Sequence, residues 1–253
     1  MAIQGRFSPV RRIRRQKNIL QEGLVDMREM YQKKLKQLTS EVLEMGMLCG
    51  QAVVKTYQLL LTTKENRQQL IDEIIKLERE IDEKDGSVEA ITVQLLLKQQ
   101  PVAGDLRKIT ASLKLISDLE RIGDQAVDIA EIIQTGSLEV PIQQLELLEM
   151  AKQAIMMVGN CITAYEEQDA NKAEDVIKND DIMDDMFAGM HKLLNENRGE
   201  QGNAQILDML MIAKYYERIA DHATNVAEWA LFSVTGIHKN GDVDYDIFGL
   251  RKE

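Results

Sequence analysis

The chain of 253 residues has few residues that break helices or favour strands. It contains three prolines, four phenylalanines and one tryptophan, whereas Leu, Ile, Met, Glu, Lys and Gln are abundant. The abundant residues have high helix propensity, and few stretches show the alternation typical of strands. The composition therefore predicts an all-α protein, and an apolar fraction of 44% is enough for a sizeable core.

Cysteine is scarce as well. Cys49 and Cys161 lie in amphipathic patterns and are predicted to be buried free thiols, which excludes a disulfide framework. No apolar run approaches the ~20 residues that cross a bilayer. The basic N-terminus also lacks the apolar run of a signal peptide. We therefore expect a cytoplasmic protein.

Motifs that would indicate catalysis are missing. The sequence contains no glycine-rich phosphate loop, no Gly-x-Ser-x-Gly and no Cys/His pair at a useful spacing. The Glu-x-x-His motif of di-iron helical bundles does not occur either. We therefore predict that the protein is not an enzyme.

Charge is distributed unevenly. The net charge is −11, but residues 1–24 carry six basic side chains against one acid, a net +5, which leaves −16 for the remainder. An acidic body argues against nucleic acid as a partner and favours cations or basic surfaces.

One stretch of sequence occurs twice. Leu119–Glu131 and Tyr216–Glu228 share the pattern Glu-Arg-Ile-small-Asp-x-Ala-x-(Asp/Asn)-(Ile/Val)-Ala-Glu, which indicates an internal repeat. Spacings of four, four and three residues place the polar positions on one helix face, opposite an apolar face. The positions on this polar face are Glu120, Asp124, Asp128 and Glu131 in the first copy, and Glu217, Asp221, Asn225 and Glu228 in the second.

The repeat extends to the preceding helices. Glu78-x-x-x-Asp82 has the counterpart Asp180-x-x-x-Asp184, and similar apolar residues precede both pairs. We predict two tandem three-helix bundles, six long antiparallel helices in all. The predicted boundaries are a basic, disordered leader at 1–26, a first bundle at 27–136, a second at 137–236 and a tail at 237–253. A first helix starting at Met27 or Met30 also fits a misassigned start of the chain.

Antiparallel helices joined by short loops can bring the acidic faces together within each repeat. Carboxylate oxygens suit hard cations such as Mg, Ca, Mn or Fe, whereas the Cys and His clusters that zinc favours are missing. Ordinary solvated helix faces are the alternative interpretation. His191 and His222 are more typical of surface or packed histidines than of ligands. The candidate metal ligands are Glu78, Asp82, Glu120, Asp124, Asp180, Asp184, Glu217 and Asp221.

At three places the sequence resembles the PhoU family of bacterial phosphate-signalling proteins. These places are Pro101–Arg107, Leu119–Asp124 and Glu217–Ala223, and the resemblance covers about residues 27–235. The family's Glu/Asp-x-x-x-Asp motif falls on the four acidic pairs described above. The basic leader and Asn225, which stands where the first copy has Asp128, depart from the family pattern.

The resemblance implies a cytoplasmic regulator, often a homodimer, built of two similar three-helix bundles. It implies control of phosphate uptake and negative regulation of the phosphate-starvation response. The implied partners are the ATPase of the phosphate ABC transporter and the phosphate-sensing histidine kinase. Some members carry metal clusters on the acidic motifs and others do not, so Fe, Zn, Mn and Mg are candidate cofactors. The alternative function is a metal-binding carboxylate bundle for storage or metal-dependent catalysis.

Overall fold

The computed structural model of the chain describes residues 9–98, 101–138, 145–196 and 203–237. Over these ranges the chain forms seven α-helices and one short 3-10 helix, and it contains no strand. The all-α prediction is confirmed, with the first repeat in the first three helices and the second in the remaining four. The elements are α1 (Pro9–Leu60), the 3-10 helix (Lys64–Asn66), α2 (Arg67–Lys98), α3 (Ala103–Thr135), α4 (Leu145–Glu167), α5 (Ala170–Lys178), α6 (Asp180–Glu196) and α7 (Asn203–Thr235).

The first helix is longer than the sequence predicted. α1 begins at Pro9 and not at Met27 or Met30, so the prediction of a disordered leader is wrong for residues 9–26. Proline suits the first turn of a helix, and Arg, Lys, Gln, Leu and Glu are good helix formers even where the apolar periodicity is weak. Residues 1–8 and the tail from 238 to 253 lie outside the described residues.

The predicted fifth helix is divided at Asn179 into α5 and α6. The Asn179 N–H donates to the carbonyl oxygens of Asp175 (3.2 Å) and Val176 (3.0 Å), which tightens the end of α5. Asn and Asp side chains compete with the backbone for hydrogen bonds, which favours a break at this polar run. Asp180 and Asp181 then occupy the first turn of α6, where negative charge is stabilised by the helix dipole.

A single hydrophobic core runs through both repeats, because α1 and α3 pack against α4 and α7. Two buried hydrogen bonds cross this interface. The Tyr216 hydroxyl donates to Thr56 Oγ1 (3.0 Å), and the hydroxyls of Ser112 and Tyr165 lie 2.8 Å apart. A buried hydroxyl that loses its partner costs about 1–3 kcal/mol, so these pairs favour one register between the repeats.

The ends of α3 and α7 show that these two helices run antiparallel. Just beyond α3, the N–H and hydroxyl of Ser137 donate to Asp208 Oδ2 near the start of α7, at 2.7 and 2.8 Å. Just beyond α7, Gly236 lies against Arg107 in the first turns of α3. The buried Arg67 guanidinium closes the same end of α3 by donating to the carbonyl oxygens of Ile133 (2.7 Å) and Leu138 (3.0 Å).

Helices α1 and α4 approach each other closely at Gly46, where a side chain would clash with Ile162. A Cβ atom at Gly46 would lie 2.2 Å from Cδ1 and 2.6 Å from Cγ1 of Ile162, whereas no described atom outside the local helix lies within 4 Å of that position at Gly50. We expect Gly46→Ala to lower the free energy of unfolding by about 1–3 kcal/mol through overpacking. Urea denaturation followed by circular dichroism measures this change.

Gly50→Ala is the matched control for this prediction. It removes a glycine from the same helix without a clash, so it should raise the free energy of unfolding by up to about 1 kcal/mol. Equal stabilisation by both substitutions would show that α1 and α4 do not depend on close approach at Gly46.

Candidate functional site

The structure brings the acidic residues of α2 and α3 into one neighbourhood. The pKa of Glu78 is raised by burial first and then by the charges of Asp82 and Asp124. The pKa of Glu120 is raised in the same way, by burial and then by Asp124, with Asp85 and Asp82 contributing from α2. Four predicted residues thus face each other across the helix pair and repel one another.

Asp85 also belongs to this neighbourhood, although it is not one of the predicted ligands. Burial raises its pKa, and the charges of Glu89 and Asp82 add to the effect. Its position three residues after Asp82 places it on the same face of α2, which is the signal that could have identified it.

In the second repeat, three carboxylates lie closer together. One ligand oxygen from each of Asp184, Glu217 and Asp221 falls within 4.8 Å of the other two. The side chain of Glu217 is 12% exposed, whereas Asp184 and Asp221 are exposed to solvent. We call these three residues the second-repeat cluster. It is the one group of three or more potential ligands at such distances within the part of the chain that the structure describes.

The fourth predicted ligand of this repeat, Asp180, is held by another contact. Its Oδ1 atom accepts a hydrogen bond from Thr224 Oγ1 (3.1 Å). Asp180 nevertheless contributes to the field of the cluster, because its charge raises the pKa of Asp221. The break at Asn179 places Asp180 in the first turn of α6, a position that the repeat pattern alone does not predict.

One cation already contacts the cluster. Lys214 Nζ donates to both carboxylate oxygens of Glu217 at 2.5 Å, one turn before it on α7. Asp221 is only partly desolvated, but this effect and then the charges of Glu217 and Asp180 raise its pKa to about 6 against the opposing effect of Lys214. The excess negative charge and the all-oxygen donor set fit a hard divalent cation.

Asp128 and Asn225 occupy corresponding positions in the two repeats, and their contacts explain why they differ. Burial and the charges of Glu131 and Asp124 raise the pKa of Asp128, and the Tyr215 hydroxyl of α7 acts on the same carboxyl group in the opposite direction. At the corresponding place, Asn225 Nδ2 donates to Asp118 Oδ1 of α3 (3.0 Å). Tyr215 in the second repeat stands at the position of Asp118 in the first. Asp128 therefore faces a hydroxyl donor, whereas Asn225 faces a carboxylate acceptor. The amide therefore matches the partner across the α3–α7 interface.

His222 takes part in the same contact and not in the acidic cluster. Its Nδ1 atom lies 2.9 Å from Asp118 Oδ1, and both side chains are less than one-fifth exposed. His191 is exposed on α6 and is not a member of the second-repeat cluster. Neither histidine contributes to a group of close potential ligands among the described residues.

The fold and the acidic faces define a class of protein: a duplicated α-helical bundle whose two halves share a core and carry paired carboxylate faces. The model of the PhoU domain matches this chain twice, at residues 42–133 and 147–230. The two matches together span more than half of the chain and follow the order of the repeats. The protein belongs to the PhoU family.

Several known proteins are similar to this chain over most of its length. A phosphate-specific transport system accessory protein PhoU homolog of Synechocystis is 36% identical over 211 residues, which are 83% of this chain and 93% of that protein. The homolog of Clostridium acetobutylicum is 34% identical over 83% of this chain and 96% of its own length. The crystal structure of PhoU from Pseudomonas aeruginosa matches with a TM-score of 0.74 at 27% identity, over 81% of this chain and 99% of that one.

Within the described ranges, no helix combines the length and the apolar character needed to cross a lipid bilayer.

The raised pKa of Asp221 predicts how stability changes with pH. Between about pH 4 and 6, the Asp221 carboxyl group is deprotonated in the unfolded chain but protonated in the folded chain. The free energy of unfolding therefore falls as the pH rises through this window. Asp221→Asn should remove that slope and raise the free energy of unfolding at pH 7 by about 0.5–1 kcal/mol, a value reduced for solvent screening. Urea denaturation at pH 4.5, 6 and 7.5 measures the slope.

Asp185→Asn is the control, since it removes one exposed negative charge from α6 outside the cluster. It should leave the pH dependence between 4 and 6 as in the unchanged protein. A similar loss of slope in both variants would contradict a specific interaction at Asp221.

Proposed function

We propose that this protein is a cytoplasmic regulator that limits phosphate uptake and represses the phosphate-starvation response. The observation that carries the proposal is the pair of PhoU-domain matches in repeat order. It is supported by relatives named as phosphate-specific transport system accessory proteins, of which the chain covers 93% and 96%. The match is therefore to whole accessory proteins and not to one domain of a larger enzyme.

The proposed mode of action is binding to other proteins and not catalysis. The partners are the ATPase of the phosphate ABC transporter and the phosphate-sensing histidine kinase, and the protein acts as a homodimer. Long amphipathic helices with exposed acidic faces offer large surfaces for basic or helical partners. Direct binding of free phosphate to these faces is disfavoured, because phosphate and the carboxylates have the same sign of charge.

The test is phosphate uptake in phosphate-rich medium by cells that lack this gene, compared with the parent strain. We expect uptake and internal phosphate to rise several-fold, because the transporter is no longer restrained. Expression of the full chain should restore the parental level, and a chain starting at Met27 tests whether residues 1–26, which include the first part of α1, are needed. Unchanged uptake in the deletion strain, with no second copy of the gene, would overturn the proposal.

A second proposal concerns the second-repeat cluster, because Asp184, Glu217 and Asp221 form the closest carboxylate group among the described residues. We propose that they bind a divalent cation, with Mn²⁺ or Mg²⁺ better suited to the oxygen donors than Zn²⁺. Iron is a further candidate for the bound cation, because it also binds carboxylate oxygens. The bound ion would replace the mutual repulsion of the three carboxylates by attraction to a shared positive charge.

Isothermal titration with Mn²⁺ tests this second proposal. The Asp184→Asn/Asp221→Asn double variant should bind at least about tenfold more weakly than the unchanged protein, whereas Asp185→Asn should bind normally. Affinity should also fall below about pH 6, because the proton on Asp221 competes with the cation. Absence of binding by the unchanged protein, or equal affinity in the double variant, would exclude a metal at this cluster.

A further inference from the structure

One end of the bundle carries exposed apolar side chains where α2 ends and α3 begins. Leu97 is 81% exposed and Val102 is 70% exposed, and Val93, Leu96 and Leu106 are each more than 40% exposed. Val93 and Leu97 lie one turn apart on α2, as do Val102 and Leu106 at the start of α3. Clustered apolar side chains of this kind mark an interaction surface, and we call these five residues the apolar patch.

The packed part of α1 begins at the same end. α1 and α2 run antiparallel, because Lys84 of α2 pairs with Glu41 of α1 (2.7 Å) while the earlier Glu73 pairs with the later Lys55. Continued along both helices, this register places residues near 30 opposite the last turn of α2. Met30, which is 71% exposed, therefore adds an apolar side chain to this end of the bundle.

The start of α3 and the end of α7 complete this end. Burial and then the charge of Asp105 raise the pKa of Tyr31 to about 12, which places Tyr31 of α1 beside the first turn of α3. Gly236, just beyond α7, lies against the side chain of Arg107. Ile237, the next residue, is 69% exposed. Four helices thus present their ends together here.

This end is basic, although the whole chain has a net charge of −11. The parts of α1, α2, α3 and α7 that meet here are residues 28–36, 93–98, 101–108 and 229–237. They contain two acids, Glu29 and Asp105, against seven bases, a net +5. The bases are Arg28, Lys33, Lys34, Lys36, Lys98, Arg107 and Lys108.

The bases on α1 are available to a ligand. Arg28, Lys33 and Lys36 are exposed, and none of the three forms an ion pair with another residue that the structure describes. Farther along the bundle, lysines such as Lys84 and Lys214 are paired with glutamates. Positive charge is therefore left uncompensated at the end that carries the apolar patch.

The acidic faces are too distant to cancel this charge. Glu120 follows Leu106 by fourteen residues on α3, and Asp221 precedes Thr235, the last residue of α7, by fourteen residues. Both separations are about 21 Å along a helix, whereas charges are screened over about 8 Å at physiological ionic strength. An anionic surface at this end would thus meet the local positive charge.

We propose that this end of the bundle binds the surface of a membrane that contains anionic lipids. The apolar patch would enter the interfacial region, and the basic side chains would lie against the lipid phosphates. Residues 1–24, with a net +5, add to the attraction. The contact is peripheral, and it goes beyond the function proposed above and does not depend on it.

The combination of side chains favours a membrane over other occupants. A lipid surface offers phosphate and hydrocarbon together, so it satisfies both the bases and the apolar patch. Nucleic acid would engage the bases but would leave the apolar patch in water. Two copies of this chain joined by these ends would bring two like charges of about +5 together, which disfavours a dimer through this surface.

Co-sedimentation of the full chain with lipid vesicles tests the proposal. Vesicles of phosphatidylcholine with about 30% phosphatidylglycerol should bind the protein at least about tenfold more tightly than vesicles of phosphatidylcholine alone, because lysines near an anionic surface each add to the attraction. Binding should weaken as salt rises from about 0.1 to 0.5 M. Absent binding, or equal binding to both kinds of vesicle, would overturn the proposal.

Two charge variants locate the contact. Lys33→Gln/Lys36→Gln should bind the anionic vesicles at least about tenfold more weakly than the unchanged protein. Lys64→Gln/Lys192→Gln is the matched control, because it also removes two exposed lysines but lies outside this end. The control should bind normally, and an equal loss in both variants would show only a general effect of net charge and would overturn the proposal.

A third variant tests the apolar patch. Leu97→Ser should weaken binding to the anionic vesicles about tenfold, since it removes buried apolar area from the contact. Met156→Ser, which replaces an exposed methionine on α4, should have no effect. If Leu97→Ser changed the molecular mass measured by light scattering and left vesicle binding unchanged, the patch would be a contact between copies and the proposal would be wrong.

Discussion

The antiparallel packing of α3 against α7 is the constraint on which the rest of the structure depends. It buries the apolar faces of both copies of the repeated motif, and it places the end of each helix beside the start of the other. Because the interior is close-packed, shifting one helix by a residue would separate the pairs Thr56–Tyr216 and Ser112–Tyr165. This packing fixes the acidic faces of α3 and α7 relative to each other.

The carboxylate faces are maintained at an energetic cost. Burial and mutual repulsion raise the pKa values of Glu78, Glu120 and Asp221, so these groups are less stable when charged than in water. Such an arrangement is stabilised when positive charge arrives from outside, whether as a cation or as a basic protein surface. The two repeats differ in this respect, because only the second combines three closely spaced carboxylates with a lysine among the described residues.

Duplication produces similar helices, but the packing makes the two copies complementary at their shared face. Asp128 faces the hydroxyl of Tyr215, whereas the equivalent Asn225 donates a hydrogen bond to Asp118. Two aspartates facing one another there would repel, so an amide in one copy follows from the geometry of the interface. The same reasoning accounts for His222, whose ring nitrogen contacts the oxygen of Asp118 that Asn225 also contacts.

Much of this fold could be predicted from the amino-acid sequence alone. Helix propensity and the repeated acid-x-x-x-acid spacing predict an all-α, duplicated bundle with acidic faces, because these are local properties of each helix. The early start of α1 and the break at Asn179 were missed, since both depend on a balance between local propensity and charge. Only the tertiary structure decided which carboxylates meet, that Asp180 bonds to Thr224, and that Asn225 faces Asp118. The reason is physical: the rotation of each helix about its axis is set by contacts with distant helices, and one residue of rotation changes which side chains come together.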